Sequence, residues 1–171
     1  MFRRLLFVMA GLVGLALLAT ITGFLIPLEH QATVSARFEA RPEVVFGVIA
    51  DVERYPEWRS DTERIEVLSE AGEPVRFREH GGQGVITYVV EESVRPSLLR
   101  VRIADDSLPY GGTWTYVLQP LDNGTSVTIT EDGEVYNPLY RLIAAFGLSQ
   151  TATIQRYLTD LAGAEPIRGP S

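Results

Sequence analysis

The chain has 171 residues, room for one domain and a short appendage, and its 46% hydrophobic and 22% charged residues are ordinary for a folded protein. It contains no cysteine, which removes disulfides, thiolate metal sites and cysteine nucleophiles. All fifteen basic residues are arginine, set against twenty-two acids, and the formal charge of −7 excludes a general affinity for nucleic acid, which needs a concentrated basic surface.

The mean hydropathy of +0.07 is raised by one segment. Met1-Phe2-Arg3-Arg4 precedes Leu5 to Ile26, a run without charge and with only Thr20 and Thr22 as polar interruptions. As a helix this run is about 33 Å long, slightly more than the roughly 30 Å hydrocarbon core of a bilayer. The length predicts one transmembrane helix rather than a cleaved signal peptide, whose apolar region is shorter and ends at a small-x-small site. Thr20-Ile21-Thr22-Gly23 is a poor cleavage site. Arg3 and Arg4 ahead of the span then place the N-terminus in the cytoplasm and the following domain outside it, a single-pass membrane protein. The expected division is an anchor over residues 1–28, a folded domain over 29–163 and a flexible tail over 164–171.

Beyond the span, Ala32, Val34, Ala36 and Phe38 alternate with Thr33, Ser35, Arg37 and Glu39, the pattern of a half-buried strand. Arg41-Pro42-Glu43 opens a helix whose apolar positions are Val44, Val45, Val48, Ile49 and Val52, and Pro56 is expected to end it. The period is two thereafter, with strands predicted over residues 64–69, 75–80, 85–92, 98–104, 113–119 and 126–134. Turn signals separate them, among them Gly81-Gly82-Gln83-Gly84 and Asn123-Gly124. Asn137-Pro138 supplies a cap and a first-turn proline for a long terminal helix reaching Leu161, with a bend expected at Gly147 and Ser149. The order is strand, helix, an antiparallel meander of about six strands and a long amphipathic helix that must cover the sheet.

This order, with Asp51-x-x-x-Tyr55-Pro56-x-Trp58, Gly112-x-Trp114-x-Tyr116, Asn123-Gly124-Thr125-x-Val127 and Asn137-Pro138-Leu139, resembles the START-like or SRPBCC superfamily. That superfamily includes polyketide cyclase/dehydrase-like proteins and coenzyme Q-binding-like proteins. The resemblance implies an α+β helix-grip fold, a curved antiparallel sheet of about seven strands wrapped around the C-terminal helix, here preceded by the transmembrane helix. It also implies an elongated apolar cavity between sheet and helix.

The expected lining of that cavity is Tyr55, Trp58, Phe77, Tyr88, Trp114, Tyr116, Tyr140 and Phe146. Trp114, Tyr116 and Leu118 share one strand face, and they either line the cavity or fill the core. Tyr55 and Trp58 could equally gate the cavity or plug its end. Arg76, Arg78 and His80 alternate with Val75, Phe77 and Glu79, as Arg100 and Arg102 do with Leu99, Val101 and Ile103, and both sets read as a solvated outer face. The sharper alternative turns one arginine inward toward a ligand. His30 and His80 have no second ligand at metal spacing, so no metal site is expected, and no nucleophile–base set appears. No cofactor and no catalytic residue are assigned. The function expected is a membrane-anchored module binding a hydrophobic small molecule or lipid without catalysis. The alternatives are a cyclase- or hydratase-like enzyme and a partner-binding domain with no ligand.

Overall fold

A computed structural model describes residues 2–147 and 151–167. Helix α1 spans Phe2–Leu25, strand β1 Glu29–Phe38 and helix α2 Pro42–Ala50. A 3-10 turn over Val52–Arg54 leads into the short helix α3, Tyr55–Trp58. Six strands follow: β2 Thr62–Val67, β3 Arg76–Gly81, β4 Gly84–Val94, β5 Leu98–Ile103, β6 Tyr110–Leu121 and β7 Gly124–Val135. Helices α4, Pro138–Gly147, and α5, Ala152–Gly163, stand where one long helix was expected. Residues 148–150, which include the expected bend at Ser149, lie outside the described residues.

The seven strands form one antiparallel sheet in the order β1-β7-β6-β5-β4-β3-β2, as the helix-grip expectation requires. Five successive hairpins build it, and the β1–β7 pairing, from Glu29 opposite Glu134 to Phe38 opposite Thr125, brings the first strand back onto the last. Alternation decides which residues face the helices. Phe38 on β1, Leu118 and Tyr116 on β6, Val127 and Ile129 on β7 and Leu99 and Val101 on β5 are buried on the concave side. The opposite face carries ion pairs such as Arg100–Glu92, Arg102–Glu91 and Arg78–Glu66, the solvated arrangement anticipated for these arginines.

Local chemistry sets the boundaries. The Asn137 side chain accepts from the backbone N–H of Leu139 at 2.9 Å, capping α4. Pro56 does not end a helix: α2 stops at Ala50, and Pro56 sits in the first turn of α3, where its missing N–H costs nothing. Helix α2 lies over β6 and β7 and drives Val45, Phe46 and Ile49 into the core, while α5 buries Ile154, Tyr157, Leu158 and Leu161. Within the expected tail, Ala164 is buried and Ile167 packs on the core, and residues 168–171 lie outside the described residues.

The expected membrane span is corrected by the structure. Among the described residues no helix is long and apolar enough to cross a membrane. The transmembrane helix over Leu5 to Ile26, and with it the single-pass arrangement with an extracytoplasmic domain, is therefore withdrawn. Helix α1 covers most of the run, but its last turns are committed to packing on α4. Gly23 is buried, and a Cβ there would collide with the Pro138 carbonyl. The Arg141 guanidinium of α4 donates to the carbonyls of Val135 at 2.6 Å, Tyr136 at 3.1 Å and Ile26 at 3.4 Å, tying the end of α1 to the end of β7. Leu12, Leu15 and Leu18, farther up α1, are exposed.

The β6–β7 hairpin turns through Asp122-Asn123 into Gly124, which has φ +111°, and a Cβ at Gly124 would strike the Phe38 carbonyl. Gly124→Ala is expected to cost about 1–3 kcal/mol for the left-handed backbone alone, read as a lowered urea midpoint. A variant as stable as the parent would contradict this account of the turn.

Candidate functional site

Six of the eight residues expected to line a cavity lie in one aromatic assembly on the concave side. Tyr55 meets Trp58 edge-on at 5.5 Å between ring centroids and Phe77 at 6.2 Å. Phe77 stacks on Tyr88 at 5.3 Å. Trp114 and Tyr116 are 6.1 Å apart on β6. Tyr157 of α5 joins the groups, lying 5.2 Å from Trp58, 5.9 Å from Trp114 and 5.5 Å from Tyr116. Tyr140 is half exposed at the start of α4 and belongs to none of these contacts, and the side chain of Phe146 lies outside the described residues.

The assembly divides by burial. Tyr55, Phe77, Tyr116 and Tyr157 are buried, and the Tyr55 hydroxyl is already used, donating to the Ile49 carbonyl at 2.7 Å. Trp58, Tyr88 and Trp114 are only partly covered, as is Ile103, which faces Tyr88 from β5. The assembly is thus fully buried at Tyr55, Phe77, Tyr116 and Tyr157 and partly covered at Trp58, Tyr88 and Trp114.

An inward arginine is present, but it is Arg59 rather than any arginine of the strands. It follows Trp58 directly, and only 13% of its side chain is exposed. Its Nη1 donates to Glu79 Oε2 at 2.8 Å and its Nη2 to Asp61 Oδ1 at 3.0 Å, while its guanidinium lies 5.2 Å from the Tyr55 ring centroid and 5.3 Å from that of Tyr157. Burial opposes its charge, yet Glu79 foremost, with Asp61 and others, more than offsets this and leaves Arg59 above its ordinary range. Burial pushes the Glu79 carboxyl up, and Arg59 together with the Thr62 hydroxyl at 3.1 Å pulls it partly back. Ser60 secures this corner to α5 through its backbone N–H and hydroxyl, each 2.8 Å from Asp160 Oδ2.

Around this ion pair three buried polar atoms make no hydrogen bond of good geometry: Trp58 Nε1, Arg59 Nε and the Tyr157 hydroxyl, the last lying beside the side chains of Tyr55 and Tyr116. Their residues pack on one another, the Tyr157 ring meeting both the Trp58 ring and the Arg59 guanidinium. Two of the three atoms can only donate. Such an arrangement suits an acceptor, and one cation beside two carboxylates favours a neutral oxygen over an anion.

Arg59 and Glu79 were absent from the cavity residues expected from the sequence. Glu79 was legible, because it shares the inward face of β3 with Phe77. Arg59 sits between α3 and β2, where no periodicity assigns it a side. Among the described residues no group of three or more His, Asp or Glu side chains could hold a metal ion. A separate open groove of about 480 Å³ runs between α2, α3 and the end of α5, with Gly47, Asp51, Arg54 and Pro166 in its walls. Trp58 reaches it from the aromatic assembly.

A model of the polyketide cyclase/dehydrase and lipid transport family matches residues 29–163. Among solved structures, a START superfamily protein from Mycobacterium smegmatis is 19% identical over 78% of this chain and 95% of its own, with a TM-score of 0.63. The Zhui aromatase/cyclase from Streptomyces sp. R1128 is 16% identical over 79% of this chain and 92% of its own, also at 0.63. Norcoclaurine synthase from Thalictrum flavum is 9% identical over 78% and 91%, again at 0.63. At these identities the likeness establishes the fold. Comparison with curated proteins finds no match.

Burial holds Tyr55 up at about 12, raises Tyr88, and lifts Tyr116 and Tyr157 well above the ordinary tyrosine value of 10. Of seven tyrosines in the chain, these four are expected to stay silent in a titration at 295 nm until the protein unfolds. Their folded values exceed their unfolded ones, so the stability they confer is complete below pH 10. Above it the unfolded chain releases protons first, and each such tyrosine loses about 1.4 kcal/mol of stability per pH unit. Smooth titration of all seven near pH 10 in the folded protein would contradict this burial.

Proposed function

The chain belongs to the polyketide cyclase/dehydrase and lipid transport family, and we propose that its domain binds a flat hydrophobic small molecule carrying a neutral carbonyl oxygen. The ligand lies against the partly covered rings of Trp114 and Tyr88, with its oxygen toward Trp58 Nε1, Arg59 Nε and the Tyr157 hydroxyl. The observation that carries this reading is that three buried polar atoms without a hydrogen bond belong to residues packed on one another, Tyr157 lying against both the Trp58 ring and the Arg59 guanidinium. A structural core would normally satisfy such groups or replace them with apolar ones. Of the hydrophobic and lipid-like ligands consistent with the family, an aromatic one matches a wall of rings, because offset and edge-on ring contacts add about 0.5–1.5 kcal/mol each beyond area burial.

A cyclase-like activity is a second reading supported by the same donors, since a carbonyl held by them is polarised toward enolisation. It is tested by deuterium exchange into the methyl group of 2-acetonaphthone in D₂O. Faster exchange with protein than in buffer supports turnover, and equal rates contradict it.

Binding is tested with 2-acetonaphthone against 2-ethylnaphthalene, which has a similar outline without the oxygen. Trp58 and Trp114 are the chain's two tryptophans, so their emission reports directly on this site. The ketone is expected to bind saturably and about tenfold more tightly than the hydrocarbon, and Trp114→Leu to weaken it by about tenfold. Tyr136→Ala, at an exposed position, serves as a control that leaves affinity unchanged. Absence of saturable binding, or equal loss in both variants, would overturn the proposal.

A further inference from the structure

On β7 the inward row runs Thr125, Val127 and Ile129, each 0% exposed, and its next member is a carboxylate, Glu131. Glu131 stands opposite Ala32 on β1 and opposite Trp114 on β6. His30, two residues before Ala32, occupies the same inward row of β1 opposite Gly133. A Cβ on Gly133 would collide with the His30 imidazole, so the missing side chain is what lets the ring lie across β7. His30 Nε2 thereby comes to 4.0 Å from Glu131 Oε1, with 25% and 23% of the two side chains exposed.

This pair differs from Arg59 and Glu79. At 4.0 Å it is too long for a hydrogen bond, and although the Trp114 side chain also bonds to Glu131, a carboxylate with about four acceptor sites keeps capacity for a further donor. No arginine pairs with Glu131 among the described residues. Burial pushes its carboxyl up, and Trp114 and His30 only partly reverse this. Glu131 adjoins the partly covered aromatic residues through Trp114 opposite it, whose ring is 5.9 Å from that of Tyr157. A solvated pair at the sheet rim would need neither the inward row nor the space left by Gly133.

We propose that Glu131, positioned by His30, is a second polar subsite of the same chamber and accepts a hydrogen bond from a ligand hydroxyl. The inference rests on the chamber reading and completes it. The Arg59 corner takes an oxygen acceptor at one end, the rings of Tyr157 and Trp114 take the flat body, and Glu131 takes a donor at the other. The ligand class is an extended aromatic ketone bearing a phenolic hydroxyl at the far end from its carbonyl.

The test uses the full chain with 6-hydroxy-2-acetonaphthone and 6-methoxy-2-acetonaphthone, which differ in the donor at one end. The hydroxy compound is expected to bind about tenfold more tightly, as a hydrogen bond to a charged acceptor implies. Glu131→Gln, which keeps the shape and an accepting oxygen, should reduce that ratio several-fold, and Glu131→Leu should bring it close to one. His30→Gln should lower the ratio while leaving binding of the methoxy compound unchanged, which a purely structural role would not do. If both compounds bind the parent equally, the Glu131 subsite is overturned while the chamber stands. If neither binds, chamber and subsite fall together.

Discussion

A guanidinium can be kept inside a protein only when its charge is neutralised and most of its donors are met, because the cost of desolvation otherwise exceeds what packing returns. Arg59 meets the first condition through Glu79 and Asp61 and rests against the rings of Tyr55 and Tyr157. Four parts of the chain therefore converge on one side chain: α3, the start of β2, the inward face of β3 and α5. The Ser60–Asp160 hydrogen bonds repeat the link between α3 and α5 a short distance away. Removing the guanidinium would leave a buried carboxylate uncompensated, so the corner holds together or fails as a unit.

The aromatic residues around this corner belong to the hydrophobic core or pack directly against it, and they differ in how far they are covered. Tyr55, Phe77, Tyr116 and Tyr157 are drawn in around the ion pair and buried, while Trp58, Tyr88 and Trp114 remain partly covered in front of them. Arg59 spends its terminal nitrogens on carboxylates and leaves Nε unspent beside two other unpartnered groups. One concave sheet meets helices from two directions at this corner. It is the kind of place where ligand pockets occur, apolar in its walls with few polar groups.

Most of the architecture was legible in the sequence because it is local. Alternation placed Tyr116 and Leu118 on the buried face of β6 and set Arg100 and Arg102 on the solvated face of β5. Asn123-Gly124 marked the last hairpin, and Asn137 capped α4 as its position before Pro138 implied. The site was legible where it lies on strands and obscure where it depends on loops or distant pairing. Arg59 has no periodic neighbours to give it a side, and Pro56 opens α3 where it had been read as a terminator. The approach of His30 to Glu131 depends on register between strands about a hundred residues apart, together with a glycine whose missing Cβ makes room. The apolar run at the N-terminus was read from length and hydropathy, measures that carry no information about its docking on α4 through Gly23 and Arg141.

The account rests centrally on a flat carbonyl ligand lying on the concave aromatic face rather than in the open groove beside α2. Intermolecular NOEs between 2-acetonaphthone and the full chain separate these most directly. The account predicts contacts from the naphthalene protons to the rings of Trp114, Tyr88 and Tyr157. Contacts confined to Gly47 and Pro166 in the groove, or none at all, would contradict it.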